Sequence, residues 1–153
     1  MNEAGMIHYR SERTMTIRAR VTAEDLWRLG SGDVRRELVD GEVIEMAPAG
    51  GVHGLLVVGV GSRLKAHVDA HGGGAVVAGD VGFVLGLPAD PERVRAPDVA
   101  FVSAARLPGG RLPQGFIRGA PDLAVEILPP MTTPWRSSRR CAIIWRRGPA
   151  SCG

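Results

Sequence analysis

Apolar and polar positions alternate in two short runs early in the chain, over Arg35–Val39 and over 42–47, with Asp40-Gly41 between them. Such alternation marks half-buried strands. An Asp-Gly pair between the runs predicts a β-hairpin, because a type I′ turn needs positive φ at both central positions. Upstream, Thr22-Ala23-Glu24-Asp25 precedes Leu26, Trp27 and Leu29 and reads as a capping box opening a short helix that Gly30-Ser31-Gly32 ends. After a loop, Leu56, Val57, Val60, Leu64 and Val68 recur at helical spacing and predict one long helix over 52–71. Gly54, Gly59 and Gly61 oppose it, each by about 1 kcal/mol relative to Ala, and 55–60 alone also fits a buried strand. The length and the polar Arg63, Lys65, His67 and Asp69 favour helix, and Gly72–Gly74 stop it. Further strands are expected over 75–78 and 81–85, as a hairpin or one bent strand, then over 98–102 and 123–128, with a Gly- and Pro-rich loop over 107–120. This order predicts a mixed α/β domain with a central sheet.

Composition narrows the class. The 153 residues suit one domain with a core that needs no disulfide or structural metal. Hydrophobic content of 44% and charged content of 23% exclude a disordered chain. No apolar run approaches the roughly 18 residues of a membrane span, and the first 20 residues hold no apolar signal segment. A cytoplasmic location is therefore expected. Two cysteines, Cys141 and Cys152, make neither a disulfide framework nor a four-ligand zinc site. Residues 1–20 read as a flexible arm, with Met1 and Met15 both open as the start.

The net charge of +3 suggests nucleic-acid binding until its distribution is seen. Up to Pro130, 14 Lys and Arg stand against 16 Asp and Glu, a balance of −2. After Glu126 come Arg136, Arg139, Arg140, Arg146 and Arg147 and no acid. That tail also holds both cysteines and two of the three tryptophans, Trp135 and Trp145.

Two segments share one format. Arg95-Ala-Pro-Asp98-Val-Ala-Phe-Val sets an acid at a strand start, and Ala120-Pro-Asp122-Leu-Ala-Val-Glu126-Ile-Leu sets a second acid deep in an apolar strand. A buried carboxylate is costly unless paired or bound to a cation. Asp122 and Glu126 share a face but lie roughly 13 Å apart at about 3.3 Å per residue, too far to hold one ion. Asp98 and Glu126 lie on different strands, and paired strands run about 4.8 Å apart, so together they can clamp a hard divalent cation. Pro-Asp before a strand is equally a common turn with a local hydrogen bond, and that structural alternative stays open.

The segments ELVDGEVIEMAPAGGVHGLLVVGVGSRL, APDVAFV and APDLAVEIL, in that order over 22–130, resemble the Uma2 family of endonucleases in the PD-(D/E)XK, or restriction-endonuclease-like, group. The resemblance implies a restriction-endonuclease-like core, a central mixed β-sheet flanked by helices, with Asp98 and Glu126 as metal-holding catalytic acids, Glu37 as a further recurrent acid that assists catalysis, and His53 as a recurrent histidine. It implies Mg²⁺ or Mn²⁺ as cofactor, nucleic acid as substrate, and no membrane. From the residues alone, Glu37 also fits a solvent-facing strand position and His53 a helix-start cap or core-edge residue. His67 and His71, four apart, read as surface residues. A homodimer through a sheet edge is compatible with the pattern.

After Leu128 the resemblance ends. Family chains carry a lysine in the helix after the second acid, whereas the single lysine here is Lys65. A shifted reading frame accounts for this: Cys141 to Gly148, written as codons and regrouped by one base, can encode Val-Arg-Asp-Tyr-Leu-Ala-Ala-Gly, which fits the family's helix. The expected organisation is an arm over 1–20, a nuclease core over 21–130 and an aberrant tail over 131–153, with the C-terminal part of the fold missing or non-native. The strand over 123–128 would then be an exposed apolar edge. Without the lysine, impaired chemistry is expected. The rival readings are a non-enzymatic protein-binding or self-associating module and an inactive truncated remnant.

Overall fold

A computed structural model describes residues 20–30, 34–128 and, for the backbone, 141–145. The expected arm, Arg20 apart, the Ser31-Gly32 part of the helix stop, and most of the expected tail, including Trp135, lie outside the described residues. Helix α1, Ala23–Arg28, opens with the full capping box: Thr22 Oγ1 accepts from Asp25 N–H, and the Asp25 carboxylate accepts from Thr22 N–H. Strands β1, Arg35–Val39, and β2, Glu42–Met46, form the expected hairpin, with φ of 53° at Asp40 and 78° at Gly41. Helix α2, Gly51–His71, ends at Gly72, whose φ of 72° stops the spiral. Its residues Leu56, Val57, Val60, Leu64 and Val68 are buried or half-buried against β3, Gly74–Ala78, and β6, Val99–Ser103, whereas Val52, Leu55 and Val58 stay exposed.

The remaining strands are short: β4, Phe83–Val84; β5, Val94–Arg95; β7, Ile117–Arg118; then the longer β8, Leu123–Ile127, and β9, Cys141–Trp145. They build two sheets. One has the order β2-β1-β5-β4-β7 with a single parallel pair, β4 and β7; the other has the order β3-β6-β8-β9 and is antiparallel throughout. The expected central sheet is thus split. The chain crosses from one sheet to the other at 79–82, 96–98 and 119–122. Pro97 and Pro121 sit in two of these crossings and have no N–H for a ladder, and Gly79 in the first crossing and Gly119 in the last take positive φ. The two-residue strands β5 and β7 fall where the sequence shows no alternation.

Two apolar clusters hold the layers. Ala23 and Leu26 of α1 pack on Leu38, Val84 and Val94 of the first sheet, with Phe116 alongside. Phe83 and Ile117 of the first sheet meet Ala100 and Val102 of the second, with Leu107. Each fully buried aliphatic or aromatic side chain contributes about 1.5–3 kcal/mol. Gly61 lies where α2 approaches Val99, so a helix glycine marks a close packing point.

The expected bare edge of β8 is a correction. Strand β9 pairs along its whole length, Leu123 opposite Trp145 through Ile127 opposite Cys141. Cys-Ala-Ile-Ile-Trp is rich in strand-forming residues, and this local preference suffices to pair the edge whatever its origin.

Two glycines separate conformational from packing demands. A Cβ at Gly74 would overlap the Val102 carbonyl oxygen and lie 2.9 Å from Ser103 Cα, both backbone atoms that cannot swing away. Gly54 on α2 has open space around it. We expect Gly74→Ala to destabilise the fold by about 1–3 kcal/mol and Gly54→Ala to stabilise it by about 1 kcal/mol. Urea denaturation of the two variants checks both signs.

Candidate functional site

The β5–β6 crossing places Asp98 directly before β6 at the seam between the sheets. The β6–β8 register sets Val99 opposite Val125, so its continuation sets Asp98 opposite Glu126. The two acids that the sequence left on separate strands are cross-strand neighbours. Asp98 is 5% exposed. Its Oδ2 accepts from Ile127 N–H at 2.7 Å, and its Oδ1 meets His53 Nε2 at 3.1 Å and Arg35 Nη1 at 3.3 Å. The carboxylate thereby ties β8, α2 and β1 to the start of β6.

Glu37 lies on β1 and is 1% exposed, so it faces inward and not to solvent. Its Oε1 accepts from Ala96 N–H at 3.0 Å, holding the residue before Pro97. Its Oε2 lies 3.1 Å from Arg95 Nε but is not aligned for a hydrogen bond, and it remains buried without one. Glu126 is half-buried. Burial, then the neighbouring Asp98 charge, raises its pKa above the usual carboxylate range; Glu37 adds to this while Arg35 and Arg95 oppose it.

These groups line one pocket of about 460 Å³, formed by Arg35, Glu37, Met46, His53, Arg95, Asp98, Glu126, Ile127 and Leu128. A second pocket of about 460 Å³ shares Arg35, Met46, His53 and Asp98 with it and runs on past Pro48 and Val57 to Asp80. Among the described residues no group of three or more His, Cys, Asp or Glu side chains is arranged to hold a metal ion. Two carboxylates with water is, however, the donor number that Mg²⁺ commonly takes from protein. The position of Glu126 opposite Asp98 and the unbonded Glu37 Oε2 in the same pocket both fit a cation there.

The other candidates separate cleanly. Asp122 accepts from Ser103 N–H at 2.8 Å and Arg106 Nη1 at 3.3 Å, at the far end of β8, and its role is structural. His67 and His71 stack on the exposed side of α2 with ring centroids 4.3 Å apart. His53 does not cap α2, whose N-cap is Gly50; it reaches Asp98 instead. The two site arginines, Arg35 and Arg95, were not singled out from the sequence. Arg35 was findable: it stands two residues before Glu37 on the same strand and therefore on the same face.

The second sheet with α2 packed on it, joined to the first sheet at the seam, makes a mixed α/β fold with a carboxylate-lined pocket there. A family model, Uma2, described as "Putative restriction endonuclease", matches residues 23–140, and the chain belongs to the Uma2 family. Among solved structures, "a putative nuclease belonging to DUF820 from Anabaena variabilis ATCC 29413" is similar, with a TM-score of 0.57 and 20% sequence identity over 74% of this chain. That likeness is one of fold, and this chain spans 62% of that protein's length. No curated protein matches.

The raised Glu126 pKa has a stability consequence. A carboxyl that holds its proton more tightly in the folded than in the unfolded chain stabilises the fold at low pH. That contribution is lost as pH rises from the ordinary value of 4.5 through the raised one. We expect Glu126→Gln to flatten this part of the stability profile and to raise the melting temperature at neutral pH. Thermal melts of both proteins between about pH 4 and pH 8 read the effect. Parallel profiles would show that Glu126 is not strained.

Proposed function

We propose that the chain is a divalent-metal-dependent endonuclease domain of the PD-(D/E)XK type that hydrolyses phosphodiester bonds of nucleic acid. The observation that carries this reading is the placement of Asp98 and Glu126 opposite each other in one pocket, with the unbonded Glu37 Oε2 beside them. Asp98 and Glu126 would hold Mg²⁺ or Mn²⁺, and Glu37 would keep the seam and the negative field in place through Ala96 N–H. The metal, when bound, supplies Lewis acidity at the phosphate and a lowered pKa for water. Asp98 is oriented for this by Ile127 N–H and His53, as ligating carboxylates commonly are by outer partners.

Cleavage by this chain should be weak. Lys65 stands on the exposed side of α2 and pairs with Asp69 at 2.7 Å, so it does not replace the family's lysine. The negative balance of residues 1–130 gives little phosphate-backbone attraction. The shifted-frame origin of 131–153 belongs to this proposal, as do a homodimer and a cytoplasmic location. No described helix is long and apolar enough to cross a membrane. DNA and RNA remain equal as substrates.

One observation favours the rival reading of a binding module with structural acids: Asp98 already accepts from three protein donors. Activity separates the two. We expect the wild-type chain with Mg²⁺ or Mn²⁺ to nick plasmid DNA or cut single-stranded RNA slowly. Asp98→Asn and Glu126→Gln should each lower the rate by at least about tenfold. Metal-independent cleavage, or cleavage unchanged in both variants, would overturn the proposal, and no cleavage with either metal would favour the rival.

A further inference from the structure

Arg35 is the least settled group in the pocket. Its guanidinium donates to the Ala96 carbonyl and lies 3.3 Å from Asp98 Oδ1, 3.9 Å from Glu37 Oε1 and 3.7 Å from Asp80 Oδ1. Three acids thus surround one cation, yet its Nε is buried without a hydrogen bond. Arg35 also lines both pockets, so it stands at the passage between the carboxylates and the adjoining cavity.

Lone-pair accounting at Asp98 gives this a direction. A carboxylate oxygen offers about two acceptor sites. Oδ1 has two donors, His53 and Arg35, and Oδ2 has one, Ile127 N–H. Of the three contacts, Arg35 is the longest, and its guanidinium is already bonded elsewhere, to the Ala96 carbonyl. Glu126 and Glu37 Oε2, by contrast, have oxygen sites open. A cation that is to reach Asp98 and Glu126 together meets Arg35 as the competing positive charge.

We propose that Arg35 is a positioning residue: the pocket arginine that holds Asp98 Oδ1 in the metal-free chain and yields that site to a divalent cation. This rests on the reading of Asp98 and Glu126 as the metal-holding pair. Having yielded Oδ1, Arg35 keeps its anchor at the Ala96 carbonyl and faces the adjoining pocket. There its planar fork of donors suits a phosphate of the substrate. Arg35 thereby supplies, from β1, the positive charge that the absent lysine would have supplied.

The test is calorimetric titration of the full chain with MnCl₂, comparing wild type, Arg35→Gln and Arg35→Lys. Loss of one competing charge, discounted for the solvent reaching the guanidinium, should tighten Mn²⁺ binding by about tenfold in Arg35→Gln. Arg35→Lys, which keeps the charge, should stay within about threefold of wild type. A merely structural role predicts looser binding in both variants. If wild type binds and Arg35→Gln binds no tighter, this inference fails and the metal reading stands. If none of the three binds, both fail. Binding by Arg35→Gln alone supports the inference in its strongest form. A measurement on wild type alone guards against a misfolded variant: the Arg35 Nε–H resonance should move during Mg²⁺ titration with the midpoint of binding. A resonance that stays fixed through saturation overturns the proposal.

Discussion

The Asp98 carboxylate is where four elements meet. Ile127 N–H of β8, His53 of α2 and Arg35 of β1 all donate to a side chain standing at the first residue before β6. The β6–β8 ladder stops at Val99, so the N–H groups on either side of Pro97 and Asp98 need other acceptors. Side-chain acceptors take over there: Asp98 serves Ile127, and Glu37 serves Ala96. Buried backbone donors left unpaired would each cost about 1–3 kcal/mol. The same two acids that close the seam therefore define the pocket.

A pocket that gathers Glu37, Asp98 and Glu126 needs counter-charge, since buried carboxylates repel one another and resist desolvation. Arg35 and Arg95 supply part of it, while burial first and the Asp98 charge second still raise the pKa of Glu126. Three carboxylates lining one pocket are the physical basis for the proposed cation. On the proposed reading, folding and function pull in opposite directions here: the Arg35 contact that steadies the seam occupies an Asp98 oxygen that the metal would use.

The sequence made the local elements readable wherever turn chemistry was explicit. Asp40-Gly41 set the hairpin, Thr22 and Asp25 set the start of α1, and the glycine run after His71 ended α2. Asp98 and Glu126 were readable as candidates because one opens an apolar strand after a proline and the other interrupts an apolar strand. The split of the sheet was not readable: β5 and β7 are two residues long, too short for any period, and exist only through pairing with distant strands. The inward face of Glu37 was equally hidden, because a two-residue period states that Arg35 and Glu37 share a face but not which face is buried. His53 gained its partner only when α2 was laid across β6.

The central claim is that Asp98 and Glu126 hold one divalent cation between them. Anomalous diffraction from a crystal of the chain soaked in Mn²⁺ tests it most directly. The account predicts a single strong peak within coordinating distance of both carboxylates, on the side of the pocket that Arg35 shares. A peak elsewhere, or none at Mn²⁺ concentrations that saturate the calorimetric titration, would contradict it and leave these acids as the mortar of the sheet seam.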